Sequence, residues 1–281
     1  MLISSGIDLA LFGVLGLLIG SFLNVVIHRL PVMLEAQWKA ECAQQNGEAS
    51  QAEAAPFNLL RPPSRCPHCG HAIGWHENVP VLSYLFLHGK CSACKAAISL
   101  RYPLVELSTA VLFSCCAWKW GASPTALLWS AFSATLLALA LIDWDTTLLP
   151  DAMTLPLLWA GLLAAALQWT SVTLASAFWG AVVGYLSLWL IYWAFKLITG
   201  KEGMGFGDFK LYGALGAWFG WQALVPIILM SSVIGAVIGI AMKFSSGLRE
   251  GGYLPFGPFL AGAGLAVMVF GPATLMHLIG L

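Results

Sequence analysis

Long apolar runs separated by short polar segments make up most of this sequence. The first run, residues 9–27, has about the length that crosses a bilayer as a helix. No basic residue precedes it and no small-residue cleavage site follows it, so we interpret it as a membrane anchor and not as a signal peptide. The hydrophobic pattern predicts about eight spans: 9–28, 103–119, 125–143, 152–169, 173–197, 207–221, 223–243 and 256–279. The predicted fold class is therefore an all-α polytopic membrane protein.

Composition supports this interpretation. Hydrophobic residues make up 59% of the chain and charged residues only 9%, whereas soluble domains carry about 25% charged residues. Such a chain cannot cover its surface with polar groups, so the lipid bilayer is an expected partner. The formal net charge is zero, and nothing indicates a nucleic-acid partner.

The cationic residues predict an orientation. With the N-terminus outside the cytoplasm, the cytoplasmic segments are 29–102, 143–151, 196–210 and 243–255, and they hold every Lys and Arg except Lys119. This agrees with the excess of Lys and Arg that cytoplasmic loops carry. We expect three regions: a first transmembrane helix (1–28), a cytoplasmic insert (29–102) and a transmembrane core (103–281).

The insert is the one long polar segment. Its first part, 32–60, is rich in Ala, Gln and Glu and predicts a loose amphipathic helix or a linker that includes a free thiol at Cys42. Its second part contains two Cys-x-x-Cys pairs, Cys66/Cys69 and Cys91/Cys94. Two such pairs at this spacing predict a four-thiolate zinc site. Two disulfides or four free thiols remain alternatives, although a reducing cytoplasm disfavours disulfides.

A closed shell of four thiolates leaves no position for a water molecule, so the predicted zinc is structural. Four nearby histidines are expected to be surface or packing residues and not ligands: His68, His71, His76 and His88. Cys115 and Cys116 fall in an apolar run, where cysteine usually behaves as a small hydrophobe.

Four of the five aspartates lie in two short segments at predicted cytoplasmic helix ends. Asp143, Asp145 and Asp151 belong to LIDWDTTLLPD, and Asp208 ends GMGFGD. Residues i and i+2 point in nearly opposite directions on a helix, so Asp143 and Asp145 do not share a face. Asp151 follows Pro150 and is expected to be a helix N-cap. Asp208 is therefore the candidate partner for Asp143.

Three glycines precede Asp208. Gly203, Gly205 and Gly207 allow positive φ angles and close backbone approach, and Asp208 would begin a helix whose N-terminus favours an anion. The segment lacks the Gly-Lys-Ser/Thr ending of a phosphate-binding loop. Two adjacent carboxylates share one proton, so one can activate water while the other polarises a carbonyl, which is the chemistry of an aspartyl protease.

Five ordered motifs resemble the type IV prepilin peptidases, a group of intramembrane aspartyl proteases with a GxGD motif. They are GSFLNVVIHRLP (20–31), CPHCG (66–70), GKCSACKAAISLRYPLVEL (89–107), LIDWDTTLLPD (141–151) and KEGMGFGDFKL (201–211). The resemblance implies that Asp143 and Asp208 are catalytic and that Asp145 and Asp151 are supporting acids.

The resemblance also implies two reactions. The peptidase removes the leader of type IV prepilins and type II secretion pseudopilins after a glycine at the cytoplasmic face of the bacterial inner membrane. The same enzyme then methylates the new N-terminal amine with S-adenosylmethionine. The sequence defines no donor site. Gly89, Lys90 and Glu106 are only weak candidates, and the oligomeric state is not predicted.

Two other classes fit part of the pattern. A proton-coupled transporter could use Asp143 and Asp208 as a relay, but it predicts acids near the bilayer midplane and two related halves. A non-catalytic assembly protein with a zinc-mediated docking domain would leave the GxGD segment unexplained.

Overall fold

The protein folds into helices, and most of those after residue 100 are connected by short loops. In the computed structural model, residues 6–46, 57–244 and 254–280 are described. The helices are α1 Gly6–Gln45, α2 Leu82–Phe86, α3 Arg101–Trp120, α4 Pro124–Thr146, α5 Asp151–Ala166, α6 Leu174–Thr199, α7 Phe206–Phe219, α8 Leu224–Phe244, α9 Gly257–Phe270 and α10 Pro272–Ile279. Within the described ranges there is no extended strand, and only two isolated bridges pair extended backbone.

Four helical segments are long and apolar enough to cross a membrane: Gly6–Gln45, Pro124–Thr146, Leu174–Thr199 and Trp221–Phe244. This confirms the expectation of an all-helical chain with membrane-spanning segments. The count of eight spans stays a prediction. The helices α5 and α9 are apolar but have only 16 and 14 residues.

Two predicted helix boundaries are wrong. The first helix does not end near residue 28 but continues through Pro31 to Gln45, because residues 32–45 are mostly good helix formers. Residues 32–45 of the segment predicted as a loose helix or linker are therefore an extension of α1. The last predicted span, 256–279, divides into α9 and α10 at Gly271, whose φ of +84° and following Pro272 end one helix and begin the next. Most of the predicted cytoplasmic segment 243–255, including Arg249, lies outside the described residues.

The chain divides into two compact units, one up to Ala134 and one from Thr135. In the first unit α1 packs closely on α3, because Gly16 and Gly20 have no side chain. A Cβ on Gly16 would lie 2.6 Å from Ala110 Cα, and one on Gly20 would lie 2.7 Å from Glu106 Cα. The division at residues 28 and 102 that the sequence suggests stays a prediction.

The second unit is built around α7, most of whose residues are buried. Gly216 of α7 meets Gly180 of α6 so closely that a Cβ on either would overlap the other's backbone. Trp218 donates through Nε1 to Leu157 O at 2.8 Å, and Tyr212 donates through its hydroxyl to Leu224 O at 2.7 Å. These contacts hold the N-terminal end of α7, which carries Asp208, in a defined place.

Candidate active site and metal centre

Asp143 lies in the last turn of α4, and its side chain is buried, with the residue 5% exposed. Asp145 is exposed, which agrees with the prediction that the two aspartates do not share a face of the helix. The chain leaves α4 at Thr147, which has a φ of +57° and donates its N–H to Asp143 O at 2.8 Å. A β-branched residue is strained in this conformation. This turn directs Leu149 and Pro150 back toward the helix bundle.

Asp208 lies in the first turn of α7 and is only 6% exposed. It is close enough to Asp143 for their charges to interact, so the second unit brings together the pair of carboxylates that the sequence singled out. Among the described residues, no group forms a hydrogen bond with Asp208 Oδ1, although this atom is buried. Buried polar atoms are nearly always hydrogen-bonded, and an exception often marks a functional site.

Leu149 fills the space beside both aspartate-bearing segments. A Cβ on Gly207 would lie 2.6 Å from Leu149 Cβ, and a Cβ on Gly257 would lie 3.1 Å from Leu149 Cδ1. The loop after α4 therefore packs between the beginnings of α7 and α9. Only glycine at position 207 permits this packing.

Gly257 contacts the active-site candidate directly, and sequence reasoning missed it. Its backbone N–H donates to Asp143 Oδ2 at 3.0 Å, and a Cβ at this position would lie 2.6 Å from the same oxygen. The Gly257–Pro258 pair before an apolar run was a signal for a helix start. Nothing in this local pattern indicates contact with Asp143, which lies more than a hundred positions earlier in the chain.

The three glycines before Asp208 were expected to allow positive φ angles and close approach, and the structure has only the close approach. None of Gly203, Gly205 and Gly207 has a positive φ, and φ of Gly205 is −80°. A Cβ on Gly205 would make only ordinary contact with Asp208 Oδ2 at 3.7 Å, and one on Gly203 would meet the Phe195 ring at 2.9 Å. The value of this segment is close approach at Gly207 and not unusual backbone conformation.

Asp151 is not the N-cap of α5. Pro150 holds that position with extended backbone, and Asp151 is the first helical residue. Its carboxylate instead binds Lys210 Nζ through both oxygens, at 2.6 and 2.7 Å. This ion pair joins the beginning of α5, directly after the loop that carries Leu149, to the first turns of α7.

The four predicted zinc ligands converge in the first unit. Sγ atoms of Cys66, Cys69, Cys91 and Cys94 lie within 4.8 Å of one another. Cys66 and Cys94 are 3.8 Å apart and Cys69 and Cys91 are 4.0 Å apart. With Zn–S bonds of about 2.3 Å, a tetrahedral ion requires sulfur separations of about 3.8 Å. The four thiols therefore fit zinc, and these separations are far longer than a disulfide bond.

The two Cys-x-x-Cys turns are built alike. Cys66 N–H donates to His71 O and Cys91 N–H donates to Ala96 O, both at 2.9 Å. Backbone N–H groups of Cys69 and His68 lower the pKa of Cys66 to about 6. Backbone N–H groups of Cys94 and Ala93 likewise lower the pKa of Cys91. The turns therefore favour the thiolate form, which a metal requires, at the first cysteine of each pair. At Cys69 the backbone hydrogen bond of His71 is outweighed by burial and by the three neighbouring thiols, which raise the pKa of Cys69 to about 11.

Glu77 braces the two turns. It interacts with the Ser92 side chain in the second turn, accepts the N–H of Gly74 at 2.9 Å and lies 3.2 Å from His71 Nε2. The bonds to Ser92 and Gly74, with that to His71, lower the pKa of Glu77 to about 2. Among the described residues, the cluster consists of the four cysteines.

The candidates for the methyl-donor site have structural contacts. Gly89 has a φ of +66° and lies against the Tyr84 hydroxyl, and Lys90 pairs its backbone with Ala97. Glu106 is buried and accepts Val81 N–H at 2.8 Å. These contacts do not define a site for S-adenosylmethionine.

Comparisons with known proteins match both halves of the chain. Residues 14–120 match the sequence model described as the bacterial peptidase A24 N-terminal domain, and residues 130–240 match that of the type IV leader peptidase family. Relatives named prepilin leader peptidase/N-methyltransferase include those of Stutzerimonas stutzeri and Pseudomonas putida. The first is 52% identical over 92% of this chain and 89% of its own, and the second is 53% identical over 95% and 93%. No solved structure is significantly similar to the chain.

Proposed function

The chain belongs to the type IV leader peptidase family, and we propose that Asp143 and Asp208 are its catalytic pair. The function is that of a prepilin leader peptidase and N-methyltransferase, which cleaves prepilin leaders and methylates the new N-terminus. The observation that supports the pair is that two buried carboxylates from separate helices interact electrostatically and lie in segments that border the same side chain, that of Leu149.

In the proposed mechanism, one water molecule binds between the two carboxylates. Two buried carboxylates that interact can hold one proton between them, so one can accept a proton from water while the other donates a hydrogen bond to the scissile carbonyl. Water attacks the carbonyl carbon of the leader glycine, and the tetrahedral intermediate collapses when the carboxyl group that accepted the proton of water gives it to the leaving amine. We assign contact with the water to Asp208 Oδ1, because this buried atom has no hydrogen-bond partner in the described part of the chain.

We also propose an orientation in the membrane, a role for zinc, a methyl donor and a class of substrates that agree with this function. The N-terminus lies on the periplasmic side of the inner membrane and the four-Cys region lies in the cytoplasm, where the leader is. Zinc bound by Cys66, Cys69, Cys91 and Cys94 is structural, because four thiolates close its shell. S-adenosylmethionine supplies the methyl group for the new N-terminal amine. The substrates are prepilins and type II secretion pseudopilins, whose hydrophobic stems would pack among the helices.

The transporter alternative requires carboxylates near the middle of the bilayer. Asp143 is in the last turn of α4 and Asp208 in the first turn of α7. Positions at helix ends favour a site at the membrane surface, where a soluble leader can reach it.

The test is cleavage of a purified prepilin by solubilised protein carrying Asp143→Asn or Asp208→Asn. Asparagine keeps the size of the side chain but cannot exchange the proton, so each variant should lose cleavage by at least about a thousandfold. Asp8→Asn, at the other predicted membrane face, is the matched control and should cleave as wild type does. Methylation of a precut pilin reports that each variant is folded. A folded Asp143 or Asp208 variant with more than about a tenth of wild-type cleavage would refute the pair.

A further inference from the structure

The N-terminal end of α9 has one backbone N–H group that is not used within the helix and lies beside Asp143. Pro258 has no N–H, and the N–H groups of Phe259 and Leu260 both donate to Phe256 O, at 3.1 and 3.2 Å. The N–H of Gly257 is left for a partner outside the helix, and it reaches Asp143 Oδ2 at 3.0 Å. The first turn of a helix normally leaves such donors for a capping group. Here the capping group is the buried carboxylate of another helix.

The space around this hydrogen bond admits no side chain at position 257. A Cβ would lie 2.6 Å from Asp143 Oδ2 and 3.1 Å from Asp143 Cγ, so the carboxylate would have to move. Leu149 closes another side, at 3.1 Å from the same point. The Asp143 side chain is held by a donor on one side and by packing around it.

We propose that Gly257 is a positioning residue of the catalytic pair, and that its N–H and its lack of a side chain set the orientation of the Asp143 carboxylate toward Asp208. This inference rests on the proposed function. The N–H also lies at a helix N-terminus, where the partial positive charge favours a carboxylate. Gly257 does not touch the substrate in this account; it acts through Asp143.

The experiment compares Gly257→Ala with Gly262→Ala in the full chain, reconstituted in lipid. Both glycines lie in α9, but a Cβ on Gly262 meets no atom within 4 Å. Gly257→Ala should lower kcat for prepilin cleavage by about a hundredfold, as expected when a reacting group is displaced by about 1 Å. The KM should change little, because no substrate contact is altered. Gly262→Ala should match wild type in both constants.

A second variant covers the case in which Gly257→Ala does not fold. Replacing residue 257 by glycolic acid changes its backbone amide to an ester, which removes the N–H and adds no atom. We expect kcat to fall by at least about tenfold, the effect of losing one hydrogen bond to a charged group. Wild-type kcat in the ester, or in folded Gly257→Ala, would overturn the inference. A loss confined to KM would overturn it as well.

The two proposals fail in different ways. If Asp143→Asn abolishes cleavage and both Gly257 variants are fully active, only the positioning role is wrong. If Asp143→Asn cleaves normally, the catalytic pair is wrong whatever the Gly257 variants do.

Discussion

The four-Cys site and the aspartate pair are assembled in opposite ways. Each half of the four-Cys site comes from a short local turn, in which backbone N–H groups organise two thiols three positions apart. The aspartate pair joins the end of α4 to the beginning of α7, and it depends on Leu149 and on Gly257 of α9. The first arrangement is robust because each turn is complete in itself. The second is sensitive to any change in how separate segments pack.

Apart from loss of either aspartate, the largest expected effect is on metal binding, which depends on all four thiolates. Cys91→Ser should lower zinc affinity by more than about a hundredfold, beyond the usual loss from a residue outside the ligand shell. Metal analysis after dialysis against a chelator measures this. Cys42→Ser is the matched control, because Cys42 is an exposed free thiol outside the cluster. Full zinc content in Cys91→Ser would contradict the four-ligand assignment.

Substitutions of the glycines before Asp208 test the packing around the two aspartates. Gly207→Ala should reduce prepilin cleavage by about a hundredfold, because its Cβ would lie 2.6 Å from Leu149 Cβ and displace the loop from α7. Gly205→Ala is the control and should stay within about threefold of wild type, since its Cβ makes ordinary contact only. Equal effects at both positions would show that close packing at Leu149 is not what the segment provides.

The bracing role of Glu77 predicts a smaller effect. Glu77→Gln should weaken zinc binding by about tenfold, since groups that support metal ligands contribute about that much. Its lowered pKa means that Glu77 stabilises the folded insert above about pH 4.5, and this contribution disappears as the pH falls toward about 2. The check is zinc competition with a colorimetric chelator at pH 7. An unchanged affinity would mean that the two turns need no brace.

The smallest expected effect concerns the Asp151–Lys210 ion pair. Its carboxylate side chain is 55% exposed and its Lys side chain 29% exposed, so solvent screens the pair. A double-mutant cycle with Asp151→Asn and Lys210→Met should give a coupling free energy of unfolding of about 0.2–1 kcal/mol. Thermal unfolding in detergent measures it. A coupling of several kcal/mol would mean that the pair is a principal support of the aspartate site.

This difference also explains how far the sequence could predict the structure. The Cys-x-x-Cys spacing is typical of a turn that brings two thiols together. The four candidate metal ligands could therefore be named from the sequence alone. That Asp143 and Asp145 lie on different faces of α4 followed from helical periodicity. The partnership with Asp208 could be suggested by elimination, because so few aspartates are present.

Other features depend on packing that no local pattern records. The close contact of Gly207 with Leu149 and the hydrogen bond from Gly257 arise only when three helix ends meet. The pattern of the glycines suggested positive φ angles, which they do not adopt. Hydropathy also placed the end of α1 too early, because it follows the membrane boundary and not the helix.

The central claim is that Asp143 and Asp208 act as one unit. The most direct measurement is single-turnover cleavage of a prepilin by Asp143→Asn, Asp208→Asn and the double variant. Residues that act as a unit have strongly non-additive effects, so the double variant should be no slower than either single variant. Rate losses that multiply in the double variant, or a single variant that cleaves at the wild-type rate, would contradict the account.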